Sequence, residues 1–553
     1  MILSYILHGH VPCYTKPHHD PLLHAKLSQR PNLLDLTPDL YAHFSSSLRY
    51  STQALPINTL LDTLLRPNAD TDPNPTSCIQ WRREPEQAVS HVVLGDAPRP
   101  GGQWAENPPA ASGPSWEIGT LSYAEMLSLP GYSYADHHLA VHGEALPDFQ
   151  RPSRAQVAEY YAAYPSAVGI DAVLHTSAHV GAVARTADGL FVIGSHGIRC
   201  RHLVLASGIF SVAIPPPPLL SPLASLPSSS ADPLLVIGSG FSAADVILSS
   251  PPSRPVIHIY KWEPEHRPSP LRGCHHQAYP EYAGVYRQMK LAALKSGRRR
   301  PATSPMARRK SNPFFQRRDW ESGYEGMPNA RVLDVAVHGG GSASIKIRLE
   351  GGDVVERAVG GLAYVVGRRG SLDYLSPALR HEVLGSSASE VTGDEESSGT
   401  ALISGKTLRA KAEADLQVAP GVFITGSLTG DSLVRHAFGG CVYAGGKIIR
   451  AAHHSPPNGC ADGDGVGVVD GEASPDAPIS DREPSASSSA PAPAVEERST
   501  ATPLAPYANG VAHQDLHLDR RKMVRAVEVS DAENRVWTDS GWWGPGLGFS
   551  VRY

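Results

Sequence analysis

One segment constrains this chain more than any other: Leu234-Leu-Val-Ile-Gly-Ser-Gly-Phe-Ser-Ala-Ala-Asp245. Four apolar residues form a buried strand, Gly-x-Gly-x-x-Ala forms a tight turn, and Ala-Ala-Asp-Val-Ile-Leu continues as a helix. Each position in the turn has a physical reason. Gly238 permits the sharp exit from the strand, and Gly240 lets backbone approach a pyrophosphate. Ala243 stands in the third glycine position and still allows close helix–strand packing. The free N–H groups and positive dipole end of the helix attract the phosphates. Gly238, Ser239, Gly240, Ser242 and Ala243 are therefore candidate cofactor contacts. The next strand, Val256–Tyr260, is followed by Lys261, where an NAD site would favour an acid. A cation there suits a 2′-phosphate and favours NADPH, although a solvated strand end reads the same way in sequence.

The rest of the chain sets bounds. Its 553 residues suffice for about two to four domains. No run of about 18 apolar residues occurs, so no transmembrane segment is expected, and Met1–Leu7 is too short for a signal peptide. A net charge of −5 gives no global attraction to nucleic acid. Cysteines 13, 78, 200, 274, 441 and 460 include no Cys-x-x-Cys pair, which argues against zinc knuckles and dithiol centres and fits a reducing, intracellular, cytoplasmic setting. The 25 histidines are scattered, and the adjacent pairs among them, such as His137–His138, do not share a helix face, so no metal is expected.

Along the chain, Arg154–Tyr164 has helical spacing. Ala172–Thr176, Gly189–Ile193 and His202–Ala206 read as strands. Pro215–Asp232 reads as a linker and Leu234–Tyr374 as a second α/β unit. Lys290–Arg318 carries ten Lys or Arg and no acid, which reads as a solvated insertion or as a nuclear-localisation patch. Val422–Thr425 is a strand and Leu433–Ala452 a helix. Residues 455–510 are too poor in aromatic and branched residues to bury a core and are expected to be disordered.

Several segments, taken together, resemble the oxidative-stress-induced growth inhibitor family, within the class B flavin-dependent monooxygenase-like proteins. They are Leu3-Ser-Tyr-Ile-Leu-His-Gly9, Tyr14-Thr-Lys-Pro17, His19-Asp-Pro-Leu-Leu23, His91-Val-Val-Leu-Gly95, Pro100-Gly-Gly-Gln-Trp104, Tyr279-Pro-Glu-Tyr282 and Gly426-Ser-Leu-Thr-Gly-Asp-Ser-Leu-Val-Arg435 with Gly439-Gly440. The resemblance implies an α/β fold in which an FAD domain is interrupted by an NADPH domain. The FAD part would cover 1–214 and 376–454, the linker 215–232 and the NADPH part 233–375, with 511–553 unassigned.

The resemblance also implies residue roles. Gly101, Gly102 and Trp104 would lie against the flavin, Gly208 would end the strand beneath it, Asp431 would hydrogen-bond the ribityl chain, and Gly426 would be a further cofactor contact. Bland readings stand beside two of these: a loop turn with a packing Trp for Pro100–Trp104, and an ordinary N-cap at Asp431. The implied activity is NADPH- and O2-dependent oxygenation of a small molecule through a flavin hydroperoxide. The alternatives are an NADPH oxidase or reductase without oxygenation, and a regulatory protein with a degenerate dinucleotide fold. The family's first Gly-x-Gly-x-x-Gly turn has no counterpart here, since Met1–Leu7 matches the helix that follows it. A truncated start, and with it weak FAD binding, is therefore expected.

Overall fold

The computed structural model describes residues 1–35, 54–68, 75–106, 118–226, 232–296, 320–338, 341–385 and 402–454. The chain opens with helix α1 (Ile2–Leu7) and strand β1 (His10–Tyr14). Helix α2 (Pro56–Leu65) follows, and then strand β2 (Ile79–Arg83), antiparallel to β1. In α2, Pro56 occupies the first turn, where its missing N–H costs nothing. Ile57, Leu60, Leu61 and Leu64 recur at helical spacing and are all buried. Full burial of such side chains contributes about 1.5–3 kcal/mol each.

Helix α3 (Arg154–Val168) begins in a capping box made by Ser153 and Gln156, and stops at Gly169 in the left-handed conformation. Its buried stripe is Val157, Tyr160, Tyr161 and Tyr164. Each of the three hydroxyls donates to a backbone carbonyl, of Tyr132 (2.6 Å), Leu127 (3.0 Å) and Pro130 (2.6 Å) respectively, so the aromatic cluster buries no unmet donor there. Strand β3 (Leu203–Leu205) ends this first part. The sequence runs read as strands are shorter than expected. Asp171–Val173 is a 3-10 turn and only Leu174–His175 is extended, because Leu174 and His175 pair with Val93 and Leu94 over just two residues.

Strand β4 (Val212–Ala213) carries the chain into a second α/β unit. This contains β5 (Leu234–Ile237), α4 (Phe241–Ser249), β6 (Val256–Tyr260), α5 (Pro280–Ser296) and β7 (Tyr324–Pro328). A meander of β8 (Arg331–His338), β9 (Ser342–Arg348) and β10 (Val354–Val359) leads to β11 (Leu362–Tyr364). The sheet order is β7-β6-β5-β11, every pair parallel. Strand periodicity divides its residues between two cores. Leu235, Ile257, Ile259 and Met327 pack with Ala343, Ile345 and Ile347 of the meander. Val236, Val256 and Tyr260 pack with Phe241, Ala244, Ile247, Tyr282 and Met289 of the helices. Leu220 and Leu223, inside the stretch read as a linker, are buried in the meander-side core. Residues 297–319, which hold most of the basic stretch, lie outside the described residues.

Strand β12 (Arg368–Ser371) brings the chain back, antiparallel to β4. Strand β13 (Val422–Ile424) then pairs parallel with β3, closing the first unit around the second. The last described element is helix α6 (Phe438–His454). It starts later than the expected Leu433, because Val434–His436 forms a separate 3-10 turn. That turn lets the Arg435 guanidinium reach Asp62 of α2 at 2.7 Å. The result is an α/β protein of two-dinucleotide-domain architecture, one unit inserted into the other. The tail read as disordered, 455–510, and the segment 511–553 lie outside the described residues. Among those described, no helix is long and apolar enough to cross a membrane.

Candidate functional site

The site is best defined at the turn between β5 and α4. Gly238 has φ +153°, and a Cβ there would lie 2.5 Å from the Val365 carbonyl oxygen, so this position admits only glycine. Gly240 is different. Its φ is −105°, and the nearest atom to an added Cβ is Pro270 Cγ at 3.8 Å. Nothing in the protein's own packing demands a glycine at 240. The N–H groups of Ser239, Gly240, Phe241 and Ser242 meet no acceptor among the described residues. Four such donors, at the start of a nine-residue helix, form a cradle that fits an anion such as a dinucleotide pyrophosphate. Ala243 is buried against the sheet, as close helix–strand packing requires. Lys261 is exposed just past the end of β6. Inside the cradle, the Gly238 carbonyl accepts from His258 Nε2 at 2.7 Å and the Ser239 carbonyl accepts from Ser269 Oγ at 2.6 Å.

The Tyr279–Tyr282 motif has a positional role. The Tyr282 hydroxyl donates to Asp245 of α4 (3.0 Å), tying α5 to the helix that bears the cradle. The Tyr279 hydroxyl donates to the Leu121 carbonyl (2.8 Å), and Glu281 pairs with Arg151 (2.8 Å). Arg151 also stacks over Tyr279 and donates to the Ala278 carbonyl. The motif therefore clasps the inserted unit onto the first one.

In the first unit, Gly101 and Gly102 have positive φ (+116° and +50°), and an added Cβ at Gly102 meets nothing within 4 Å. Trp104 is buried edge-on to Tyr161, ring centroids 5.9 Å apart. The turn is held by Arg154, whose Nε donates to the Trp104 carbonyl (3.3 Å) and whose Nη2 donates to that of Gln103 (3.2 Å). Burial, with Arg368 as a second charge nearby, holds the Arg154 guanidinium down at about 10. Sequence reasoning assigned Arg154 no site, and its capping-box context gave no sign of this contact.

Gly208 and Gly426 sit past the ends of the paired strands β3 and β13, both with positive φ. Ser427 Oγ joins the two ends by accepting from Ile209 N (3.2 Å). Asp431 is buried and engaged. Its Oδ2 accepts from Leu55 N (2.8 Å) and Asn58 Nδ2 (2.7 Å), and its Oδ1 from Arg409 Nη1 (2.6 Å). A carboxylate offers about four acceptor positions, so a ribityl hydroxyl would share Oδ1 with Arg409. Asn58 Oδ1 in turn accepts from Gly440 N (2.9 Å) in the first turn of α6. An added Cβ at Gly426, as at Gly102, meets nothing within 4 Å; Asp431 is first a clasp between α2, α6 and the helix Arg409–Ala414. Asn58 was not identified from sequence, and neither was its helix, for which Pro56 and the 57, 60, 61, 64 stripe are the signal that could have found it. Ser242 and His436 acquire no catalytic partner among the described residues. Among the described residues, no three His, Cys, Asp or Glu are grouped to hold a metal.

These features define an α/β protein with a built dinucleotide-type cradle in an inserted unit. Oxidative stress-induced growth inhibitor 1 from Mus musculus is 31% identical over 329 residues, covering 52% of this chain and 66% of the relative. The Homo sapiens protein of that name is 30% identical over 336 residues, covering 53% and 67%. The chain belongs to the oxidative stress-induced growth inhibitor family, and its match spans about two thirds of those relatives' length. No protein-family model matches the chain. A flavin-containing monooxygenase from Stenotrophomonas maltophilia superposes with TM-score 0.39 at 18% identity, covering 66% of this chain and 92% of that one.

Proposed function

We propose that this protein is a flavoprotein oxidoreductase that takes NADPH at the Gly238–Ala243 turn and acts as a monooxygenase on a small molecule. The observation that carries the reading is the turn itself: four N–H groups that meet no acceptor among the described residues, beside a glycine whose side-chain space is open. The cradle would hold the pyrophosphate, with Lys261 placed to meet a 2′-phosphate. Gly101, Gly102, Trp104, Gly208 and Gly426 would line the flavin, and Arg154 would keep the Trp104 turn in position. When bound, FAD would supply hydride acceptance from NADPH and electron transfer to O2, one oxygen atom going to the substrate and the other leaving as water. The chain's own part is to orient the two cofactors and to keep water out. The Tyr279–Tyr282 clasp serves the first of these by fixing the inserted unit against the unit that bears Trp104.

The engagement of Asp431 with three protein donors favours a second reading, in which NADPH is bound as a regulatory ligand with little flavin. One experiment separates them. The purified full chain is supplied with FAD, mixed anaerobically with NADPH, and then exposed to O2. Bleaching of the flavin absorbance followed by its return supports the oxidoreductase. NADPH binding without flavin uptake supports the second reading. Oxygenated product, rather than peroxide alone, would identify the monooxygenase among oxidoreductases.

A further inference from the structure

The cradle's donors are aimed by residues that do not belong to it. In a planar trans peptide, the carbonyl of one residue and the N–H of the next point in opposite directions. Fixing the Gly238 carbonyl therefore fixes the Ser239 N–H, and fixing the Ser239 carbonyl fixes the Gly240 N–H. The structure supplies a dedicated donor for each carbonyl. His258, at the centre of β6 and fully buried, lies with Nε2 2.7 Å from the Gly238 oxygen. That oxygen can only accept, so Nε2 carries the proton and Nδ1 is left as the acceptor. The Tyr324 hydroxyl of β7 lies 2.8 Å from Nδ1 and donates to it, which locks this tautomer. Ser269 Oγ donates to the Ser239 oxygen at 2.6 Å and itself accepts from Leu271 N at 3.3 Å, at the start of the 3-10 turn Pro270–Gly273.

We infer that His258, with Tyr324 behind it, and Ser269 are positioning residues that preorganise the Ser239 and Gly240 N–H groups for a dinucleotide pyrophosphate. The inference rests on the reading of this turn as the NADPH site. Without these donors either peptide could rotate and present a carbonyl oxygen to the phosphates, turning an attraction into a repulsion. Both anchors are neutral, so they orient the dipoles without competing for the anion. Burial keeps the His258 imidazole at about 4, well under its ordinary 6.5, so it stays neutral near pH 7. A polar residue in the apolar run Val-Ile-His-Ile-Tyr is otherwise a cost to the sheet core.

The test is an equilibrium titration of the full chain with NADP+, followed by calorimetry at neutral pH. His258→Leu removes the donor and should weaken NADP+ about tenfold, and Ser269→Ala should weaken it by about threefold to tenfold. His258→Gln keeps a side-chain N–H and should bind within about threefold of wild type. That rescue distinguishes an aimed hydrogen bond from mere filling of the core. Ser269→Ala leaves the sheet untouched and decides the question where His258→Leu disturbs folding. Unchanged affinity in both His258→Leu and Ser269→Ala, or equal weakening by His258→Leu and His258→Gln with Ser269→Ala unchanged, overturns the inference. Gly240→Val is the control. Loss of NADP+ binding there with unchanged His258 and Ser269 variants sinks the positioning role alone; unchanged binding in Gly240→Val sinks the site and the inference together.

Discussion

Gly439→Ala should be among the most damaging methyl additions to this protein, and Gly440→Ala, one residue on, should be harmless. A Cβ at Gly439 would lie 2.4 Å from the Ile57 carbonyl oxygen, 2.5 Å from its carbon and 2.6 Å from Asn58 N. These are backbone atoms of α2 and cannot swing aside. Reaching an ordinary separation needs α2 to retreat by about 1 Å, and overpacking of this kind costs about 1–3 kcal/mol. The retreat also stretches the Asn58–Asp431 bond (2.7 Å) and the Asn58–Gly440 bond (2.9 Å). Weakening one charge-assisted bond adds about 1.5–3 kcal/mol. The better helix propensity of alanine returns about 1 kcal/mol. The net expected loss is about 3 kcal/mol. At Gly440 the nearest atoms to an added Cβ are 3.8–3.9 Å away, so only the propensity gain remains, up to about 1 kcal/mol. Urea denaturation followed by tryptophan fluorescence compares the two. Equal midpoints would refute the claim that α2 backbone seats directly on Gly439.

Asp431→Asn should cost about 2 kcal/mol, because Arg409 loses its buried counter-charge and an amide N–H meets Leu55 N or Asn58; thermal melts check this, with NADPH binding unchanged. His258 makes stability pH-dependent: between pH 6.5 and about 4 the unfolded chain binds a proton that the folded imidazole refuses, so stability falls as pH falls through that window. The difference is worth about 3 kcal/mol at 1.36 kcal/mol per unit, and His258→Gln should lose that component in denaturation midpoints measured across the window. Lys261→Glu should weaken NADPH while sparing NADH, read as the ratio of their dissociation constants.

How much was legible in the sequence depended on range. Leu234–Ile237 and Val256–Tyr260 were read with the bounds the structure gives, since short apolar runs between Gly and Pro punctuation leave little choice. The Gly238–Ala243 turn was legible for the same local reason. Helix α2 carried a readable stripe but was passed over among the Pro and Gly turns around it. The clasp it makes was not readable at all, because Asn58 and Asp431 are 373 positions apart. His258 stood out only as a polar residue in an apolar strand. Its partner Tyr324 lies 66 residues on, beyond the basic stretch, and Ser269 sits in a loop with no periodicity. Arg154 was hidden differently, since a helix-start arginine reads as solvated until its acceptors at 103 and 104 are known.

The most direct test of the account is equilibrium binding of NADPH to the full chain and to its Gly240→Val variant. Valine at 240 meets no protein atom closer than Pro270 Cγ at its Cβ and keeps an ordinary φ, so the variant should fold and melt like wild type. The account predicts saturable NADPH binding by the wild-type chain and its loss in the variant, because the new side chain occupies the space over the Ser239–Ser242 N–H groups. Binding that is absent in wild type, or as tight in the variant as in wild type, would contradict it.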